Sequence, residues 1–253
     1  MTIRTVNTNG VAVIEIARPE KKNALTQAMY TAMTEAIVAA DADSTIRALL
    51  ITGQPGIFTS GNDLEDFMQR PPAGEDSPVF QFMKALAECG KPVVAAVTGG
   101  AIGIGTTMLL HCDLVYVSDE ARLAMPFVGL GLVPEYASSL LVTQRVGHAK
   151  ATELLLLGEP FNGESAVEMG IANAVLPAAE VVNHARRMAE RFNALPPGAV
   201  RESKALMRRG QKALVQETIA VEGEIFGKRL RSPEAMEAFQ AFFQKRKPDF
   251  SKF

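Results

Sequence analysis

The chain has 253 residues, of which 47% are apolar, and it carries 26 basic and 28 acidic residues. This length suits one large α/β domain, or one domain with a small appendage, and the apolar content excludes global disorder. A net charge of −2 gives no general attraction to nucleic acid or to an anionic membrane. The two cysteines, Cys89 and Cys112, lack the spacing of a disulfide framework or a zinc site.

The sequence has neither a secretory signal nor the apolar run of about 18 residues that a membrane span requires. It ends Ser251-Lys252-Phe253, which is close to the peroxisomal Ser-Lys-Leu address but has a different last residue. We therefore expect a cytoplasmic protein without a metal.

A hairpin and a helix are predicted first. Residues 3–7 and 11–17 are strand-like and flank Asn9-Gly10, a dipeptide typical of a tight hairpin turn. A polar connection over residues 18–23 follows, and Thr26 suits the N-cap of a helix with apolar residues at helical spacing.

Buried strands are predicted over residues 47–52, 93–97 and 114–117, which are short and almost wholly apolar. Helical patterns separate these strands, among them one over residues 79–89. Strands that alternate with helices in this way favour an α/β fold with parallel pairing.

A glycine-rich turn over residues 99–105 separates the second buried strand from a helical pattern over residues 106–110. A strand, a glycine turn and a helix start together present unpaired backbone N–H groups to an anion. The alternative is that these glycines only let the helix pack closely on the sheet.

Three other stretches are irregular. Residues 57–64 are predicted as a glycine-hinged polar loop, and residues 69–78 as a mobile loop at the edge of the site. Residues 124–134 contain glycines and prolines among apolar residues, which is typical of a pocket wall. Pro134 and Glu135 are then predicted to open a helix that runs to Arg145.

From about residue 177 the pattern is helical. The predicted helices cover residues 181–193, 199–209, 214–230 and 233–245. We therefore divide the chain into a core with the site, residues 1–195, and a helical C-terminal region, residues 196–253.

Ordinary catalytic signatures are missing from the sequence. It has no Gly-x-Ser-x-Gly elbow and no phosphate-binding Gly-x-x-x-x-Gly-Lys motif, and His111, His148 and His184 are scattered and interpreted as non-catalytic. Glu135, by contrast, is a lone carboxylate among uncharged neighbours, and burial would raise its pKa to a value suited to a proton shuttle. The alternative is a glutamate that only stabilises a helix N-terminus.

Five motifs follow the order of one family along almost the whole chain. They are RPEKKNAL (residues 18–25), SGNDL (60–64), KP with the glycine turn (91–105), CD (112–113) and MPF (125–127). The chain resembles the crotonase (enoyl-CoA hydratase/isomerase) superfamily. The resemblance implies an α/β fold, a spiral of ββα turns with a helical C-terminal trimerisation region, assembled as a homotrimer or a dimer of trimers.

The resemblance further implies an acyl-CoA substrate, with coenzyme A as part of the substrate and no separate cofactor. Two backbone N–H groups, those of Asn62 and Ile104, would hold the thioester oxygen as it becomes an enolate, each contributing roughly 3–4 kcal/mol. The substrate-binding residues that it implies are Lys21, Lys22, Ala24, Ser60, Gly61, Asp63, Leu64, Gly103 and Phe127. For the two lysines, the alternative is a solvated surface.

Carboxylates distinguish the subfamilies. Hydratases of this family use two glutamates, and the matching positions here are Thr107 and Phe127. Glu135, followed by Ser138-Ser139, resembles instead the single glutamate of the peroxisomal Δ3,Δ2-enoyl-CoA isomerases, as does Pro71-Pro72. The predicted activity is isomerisation of an enoyl-CoA in fatty-acid β-oxidation. The alternatives are a hydratase or another degradative acyl-CoA isomerase of the superfamily and, from a different class, a non-catalytic RNA-binding homologue.

Overall fold

Short strands and helices alternate along most of the chain. The computed structural model describes residues 2–71, 74 and 76–253. Its strands are β1 (Ile3–Thr8), β2 (Val11–Ile16), β3 (Ala48–Thr52), β4 (Ile57–Thr59), β5 (Val93–Val97), β6 (Gly100–Ile102), β7 (Leu114–Ser118), β8 (Arg122–Ala124), β9 (Phe161–Asn162) and β10 (Ala174–Leu176). Its α-helices are α1 (Gln27–Ala42), α2 (Leu64–Gln69), α3 (Pro78–Glu88), α4 (Ile104–Thr107), α5 (Ser138–Leu155), α6 (Gly163–Glu168), α7 (Val181–Glu190), α8 (Pro197–Arg209), α9 (Lys212–Arg229) and α10 (Pro233–Phe243).

The predicted hairpin and first helix are confirmed. Strands β1 and β2 pair antiparallel, and Asn9 and Gly10 between them have φ values of 48° and 71°, as a tight two-residue turn requires. The hydroxyl of Thr26 accepts a hydrogen bond from the N–H of Met29 and so caps α1.

Within the described residues the strands form two sheets. The larger has the order β1-β2-β3-β5-β7-β10, with parallel pairing from β2 onward, and the smaller has the order β4-β6-β8-β9. Successive strands alternate between the two sheets, because β3, β5 and β7 are followed by β4, β6 and β8. The chain therefore winds as the predicted spiral of two strands and a helix.

The larger sheet is buried on both faces. Leu49 and Ile51 of β3 belong to the main core with α1 and α3, whereas Leu50 packs in a second core that also contains Val181 and Ala185 of α7. This two-sided burial explains why the central strands are continuously apolar rather than alternating.

Several boundaries differ from the predictions. The predicted loop over residues 57–64 contains β4 and ends at the start of α2, and the short strands β6, β8, β9 and β10 were not predicted. The predicted helix from Pro134 was wrong at its start, because α5 begins at Ser138. Of the predicted loop over residues 69–78, residues 72, 73 and 75 lie outside the described residues, and its mobility stays a prediction.

The helical pattern of the last third is confirmed by α7 to α10. The division of the chain at residue 195 stays a prediction. Across the described ranges, no helix combines the length and the apolar character needed to cross a bilayer.

Candidate active site

The two predicted oxyanion-binding amides come from different turns of the spiral. Asn62 lies between β4 and α2, and the peptide groups around it are held because the N–H of Leu25 donates to Gly61 O at 2.8 Å and the N–H of Asp63 donates to Leu25 O at 2.9 Å. Ile104 is the first residue of α4, where a backbone N–H has no partner within the helix. In the described part of the chain, no protein group accepts a hydrogen bond from either amide.

Two glycines with positive φ set the direction of these amides. Gly61 has φ = 91°, and a Cβ there would lie 2.9 Å from the carbonyl oxygen of Ile102, on the neighbouring strand β6. Gly103, directly before Ile104, has φ = 57°, which L side chains rarely adopt. The predicted glycine loops therefore expose backbone donors and do not merely allow close packing.

Glu135 lies in a small cavity that also contains Asn62. The remaining lining is largely apolar and includes Phe67, Met83 and Phe226, and the cavity volume is about 20 Å³. The Glu135 side chain is 5% exposed, and its Oε1 accepts a hydrogen bond from the hydroxyl of Thr107 at 2.5 Å.

Burial controls the charge of this carboxyl group. The pKa of Glu135 is raised to about 8, chiefly because burial disfavours the charged form. The hydrogen bond from Thr107 opposes this rise, and the nearby carboxylate of Glu222 adds to it. The prediction of a proton shuttle with a raised pKa therefore has a physical basis. The alternative of a helix-start glutamate fails, because α5 begins three residues later.

A clamped turn carries Glu135. Tyr136 and Ala137 have φ values of 60° and 55°, a conformation that is strained for side chains with a Cβ. Neutral His111 donates through Nε2 to the carbonyl oxygen of Tyr136 at 2.8 Å, and the Tyr136 hydroxyl donates to Met83 O at 2.8 Å. These tertiary contacts hold the turn, and His111, whose pKa burial lowers to about 3, acts as a structural donor here.

Comparison with known proteins identifies the family. The sequence profile of the enoyl-CoA hydratase/isomerase family matches residues 6–252. The chain belongs to this family. It is 32% identical over 252 residues to enoyl-CoA delta isomerase 2 of Homo sapiens, and this match covers 97% of this chain and 64% of that protein. It is 29% identical over 246 residues to a probable enoyl-CoA hydratase of Bacillus subtilis, and this match covers 95% of both chains. The solved structure of OdaA from Pseudomonas aeruginosa superposes with a TM-score of 0.94 at 55% identity, covering 95% of this chain and 98% of that one.

In this member of the enoyl-CoA hydratase/isomerase family, the other predicted site residues line a wide groove. The groove, about 760 Å³ in volume, is lined by Asn62 and Ile104 together with the other predicted residues, namely Lys21, Lys22, Ala24, Ser60, Gly61, Asp63, Leu64, Gly103 and Phe127. It meets the cavity of Glu135 at Asn62, Phe67 and Phe226, which line both spaces. The groove and the cavity of Glu135 therefore adjoin at these three residues.

The charged side chains of two of these groove residues, Asp63 and Lys21, pair with other residues of the protein. The Asp63 carboxylate pairs with Arg18 at 2.6 Å and accepts a hydrogen bond from the N–H of Asp66, so it caps α2. Lys21 lies 3.8 Å from Glu65 and is half exposed, a weak pairing that leaves it available to an anion.

Sequence reasoning missed several residues that shape the site. The Tyr30 hydroxyl donates to Oδ1 of Asn62 at 2.5 Å, so the side chain at position 62 has a specific buried partner. The sequence identifies Thr107 only as the residue at a position where hydratases have a glutamate, yet its hydroxyl is the direct hydrogen-bond donor to Glu135. Glu222 and Phe226 come from the C-terminal helix α9. None of these contacts joins residues that are close in sequence, so no local signal indicates them.

Proposed function

We propose that the protein is a Δ3,Δ2-enoyl-CoA isomerase of fatty-acid β-oxidation. The observation that carries this proposal is the single carboxyl group, Glu135, in the cavity beside Asn62. Thr107 and Phe127, at the positions where hydratases of this family hold glutamates, cannot exchange a proton at neutral pH. An isomerase requires one group that acts first as base and then as acid, and that is what this cavity provides.

The reaction needs one proton and no net change in the enzyme. The Glu135 carboxylate takes a proton from C2, and the electron pair of the broken C–H bond forms a C1–C2 double bond while negative charge accumulates on the thioester oxygen. The resulting dienolate keeps its C3–C4 double bond, which becomes the C2–C3 double bond only when C4 is protonated. The N–H groups of Asn62 and Ile104 stabilise that enolate. Glu135 then returns the proton to C4, which restores the carbonyl group of the thioester and the carboxylate of the enzyme.

The surroundings of Glu135 also oppose addition of water. The cavity is lined by Phe67, Met83 and Phe226, and its volume of about 20 Å³ leaves room for about one water molecule. A substrate carbon chain would occupy that space. A water molecule in position to attack C3 would then have no second carboxylate to activate it.

Hydration is the second candidate, because hydratases are among the relatives at about 30% identity. The nearest additional carboxylate is Glu222, which does not line the cavity. Its oxygens accept hydrogen bonds from the N–H of Ala137 at 2.5 Å and from the N–H of Ser139 at 3.0 Å, and the Ser139 hydroxyl also donates to it. Both carboxylate oxygens of Glu222 are therefore engaged in hydrogen bonds that hold the start of α5. Glu222 is then not available to activate a water molecule, which favours isomerisation over hydration.

Replacement of Glu135 by glutamine tests the proposal. With 3-hexenoyl-CoA as substrate, Glu135→Gln should lower kcat by roughly a thousandfold, because no other group in the cavity can carry the proton. The variant should unfold at no lower temperature than the wild type at neutral pH, since Glu135 is mostly the uncharged acid there and the amide is a neutral group of similar size and shape. Glu224→Gln, an exposed carboxylate on α9, is the matched control and should keep full activity.

Two results would contradict the proposal. One is near-wild-type isomerisation by folded Glu135→Gln. The other is a wild-type enzyme that hydrates 2-hexenoyl-CoA faster than it isomerises 3-hexenoyl-CoA, which would favour the hydratase.

We also propose assembly as a homotrimer or a dimer of trimers. Its support in this chain is a set of large apolar side chains left exposed, namely Leu156, Leu157, Leu206 and Met207.

A further inference from the structure

The cavity beside Glu135 has a second neighbour. A groove of about 770 Å³, which Asn62 does not line, runs between α3 and α9. Phe80, Ile219 and Gly223 line both this outer groove and the cavity of Glu135. These three residues therefore form a thin wall between a space of about 20 Å³ and a much larger one.

Phe80 closes this wall by resting on a glycine. A Cβ at position 223 would lie 2.4 Å from Cζ and 2.5 Å from Cε1 of the Phe80 ring. Real Cβ atoms do not approach other atoms so closely, so the ring edge occupies the space that any other residue at 223 would fill. Gly223 thus lets the Phe80 ring lie directly against the backbone of α9.

We propose that Phe80, seated on Gly223, is the end wall of the acyl site and limits the enzyme to short acyl chains. This inference rests on the proposed function in one respect, that the acyl group enters the cavity of Glu135. The cavity has room for only one small group besides the reacting atoms. Acyl carbons beyond that group would contact the Phe80 ring. Without the ring they would continue into the outer groove, along Ile219, Ala220 and Leu230.

Binding of saturated acyl-CoA compounds tests the wall without requiring catalysis. Calorimetric affinities would be compared for butyryl-, hexanoyl-, octanoyl- and decanoyl-CoA. For the wild type, affinity should stop rising by hexanoyl-CoA. For Phe80→Ala it should continue to rise, by about fourfold for each added methylene, the factor equivalent to ~0.8 kcal/mol for burying one such group. Phe80→Leu should lie between the two.

The matched control is Lys84→Ala, one turn further along α3, since Lys84 lines the outer groove but not the cavity. It should keep the wild-type chain-length profile, and unchanged affinity for butyryl-CoA shows that each variant is folded. If Phe80→Ala fails to fold, the chain-length profile of Phe80→Leu tests the proposal in its place.

The proposal is overturned if wild-type affinity rises through decanoyl-CoA with the slope of the Phe80 variants, or if folded variants keep the wild-type profile. If the protein shows the chain-length limit but does not isomerise 3-hexenoyl-CoA, the proposed function is wrong and this inference is still supported. If the protein isomerises 3-hexenoyl-CoA but shows no chain-length limit, the proposed function is supported and this inference is wrong.

Discussion

At the scale of single residues, the site depends on one carboxyl group that is held mostly uncharged. Burial raises the pKa of Glu135 to about 8, so at neutral pH the free enzyme holds most of this group as the acid. A base for the C2 proton must be ionised. The same burial that makes Glu135 a good proton donor to C4 therefore limits how much of the enzyme starts the reaction.

The pH dependence of kcat/KM follows from this balance. For 3-hexenoyl-CoA, kcat/KM should rise about tenfold per pH unit below the pKa and level off above about 8, because only the Glu135 carboxylate accepts the C2 proton. Thr107→Val should move the midpoint to higher pH, since the hydrogen bond from Thr107 lowers the pKa of Glu135. Initial rates across the pH range measure both effects. A midpoint near the ordinary value of 4.5 would contradict the assignment of Glu135 as the base.

How far sequence alone defines the site can be argued from three residues. Glu135 could be identified because a charged residue among apolar neighbours stands out in any linear pattern. The amide of Ile104 could be identified from the glycines before it, since they mark a helix start with free donors. Tyr30 could not be identified, because its link to Asn62 arises only when α1 packs beside the loop after β4.

At the scale of elements, long strands could be predicted from the sequence, whereas strands of two or three residues could not. The central strands β3, β5 and β7 were predicted because two-sided burial makes them continuously apolar. Strands of two or three residues, such as β6 and β9, are too short for any periodicity and are defined by their partners in the smaller sheet. The start of α5 was misplaced because Pro134-Glu135 has the composition of a helix start, whereas tertiary contacts hold Tyr136 and Ala137 in a left-handed turn.

Helix α5 depends on a carboxylate from another part of the chain. Glu222 of α9 accepts hydrogen bonds from the N–H groups of Ala137 and Ser139, at the N-terminus of α5, where backbone donors lack partners within the helix. Its negative charge also faces Glu135. Glu222 therefore supports the turn that carries the proposed base and adjusts the pKa of that base.

Replacement of Glu222 by glutamine should separate these two effects. An amide group has one acceptor oxygen instead of two, so one backbone donor loses its partner, and the free energy of unfolding should fall by roughly 1–3 kcal/mol. Loss of the negative charge should move the midpoint of kcat/KM to lower pH, because Glu222 raises the pKa of Glu135. The other groups that face Glu135 are Tyr30, Tyr136 and Thr107, and they are uncharged at neutral pH.

Urea unfolding and pH profiles measure these two quantities. Glu224→Gln, on the exposed side of the same helix, should change neither. A stability loss without a shift of the pH midpoint would mean that Glu222 acts only as a helix cap.

At the scale of the whole molecule, the C-terminal helices complete the candidate active site of their own chain. Helix α9 supplies Phe226 and Gly223 to the cavity of Glu135, and α10 supplies Phe239 to the wider groove. Sequence patterns predicted these helices, and the family resemblance implied a role for them in assembly. Neither indicated their contacts with the cavity, because the contacting residues are scattered along the chain. Helix α9 follows α8 after only two residues, and α8 is anchored to the core.

A buried ammonium group provides much of that anchor. Nζ of Lys204, on α8, donates to the carbonyl oxygen of Lys91 at 2.6 Å and to Asp113 at 2.7 Å, and Arg208 pairs with the other oxygen of Asp113 at 2.9 Å. Asp113 also accepts the N–H of Val93 at the start of β5. The anchor therefore joins α8 to the centre of the larger sheet.

Lys204→Met should loosen this anchor while it keeps the apolar stem of the side chain. The substitution removes the ammonium donor from Asp113 and from the carbonyl oxygen of Lys91. Asp113 keeps Arg208 and the N–H of Val93 as donors, so a loss of about 1–3 kcal/mol is expected in the free energy of unfolding. Urea unfolding measures the loss, and hydrogen exchange of α9 amides should accelerate with it, since α8 no longer holds the next helix in place. Lys228→Met, which breaks the exposed pair with Glu224 on α9, is the control and should leave the unfolding midpoint unchanged. Equal midpoints for Lys204→Met and the wild type would mean that packing alone, without the ammonium group, holds the C-terminal helices against the sheet.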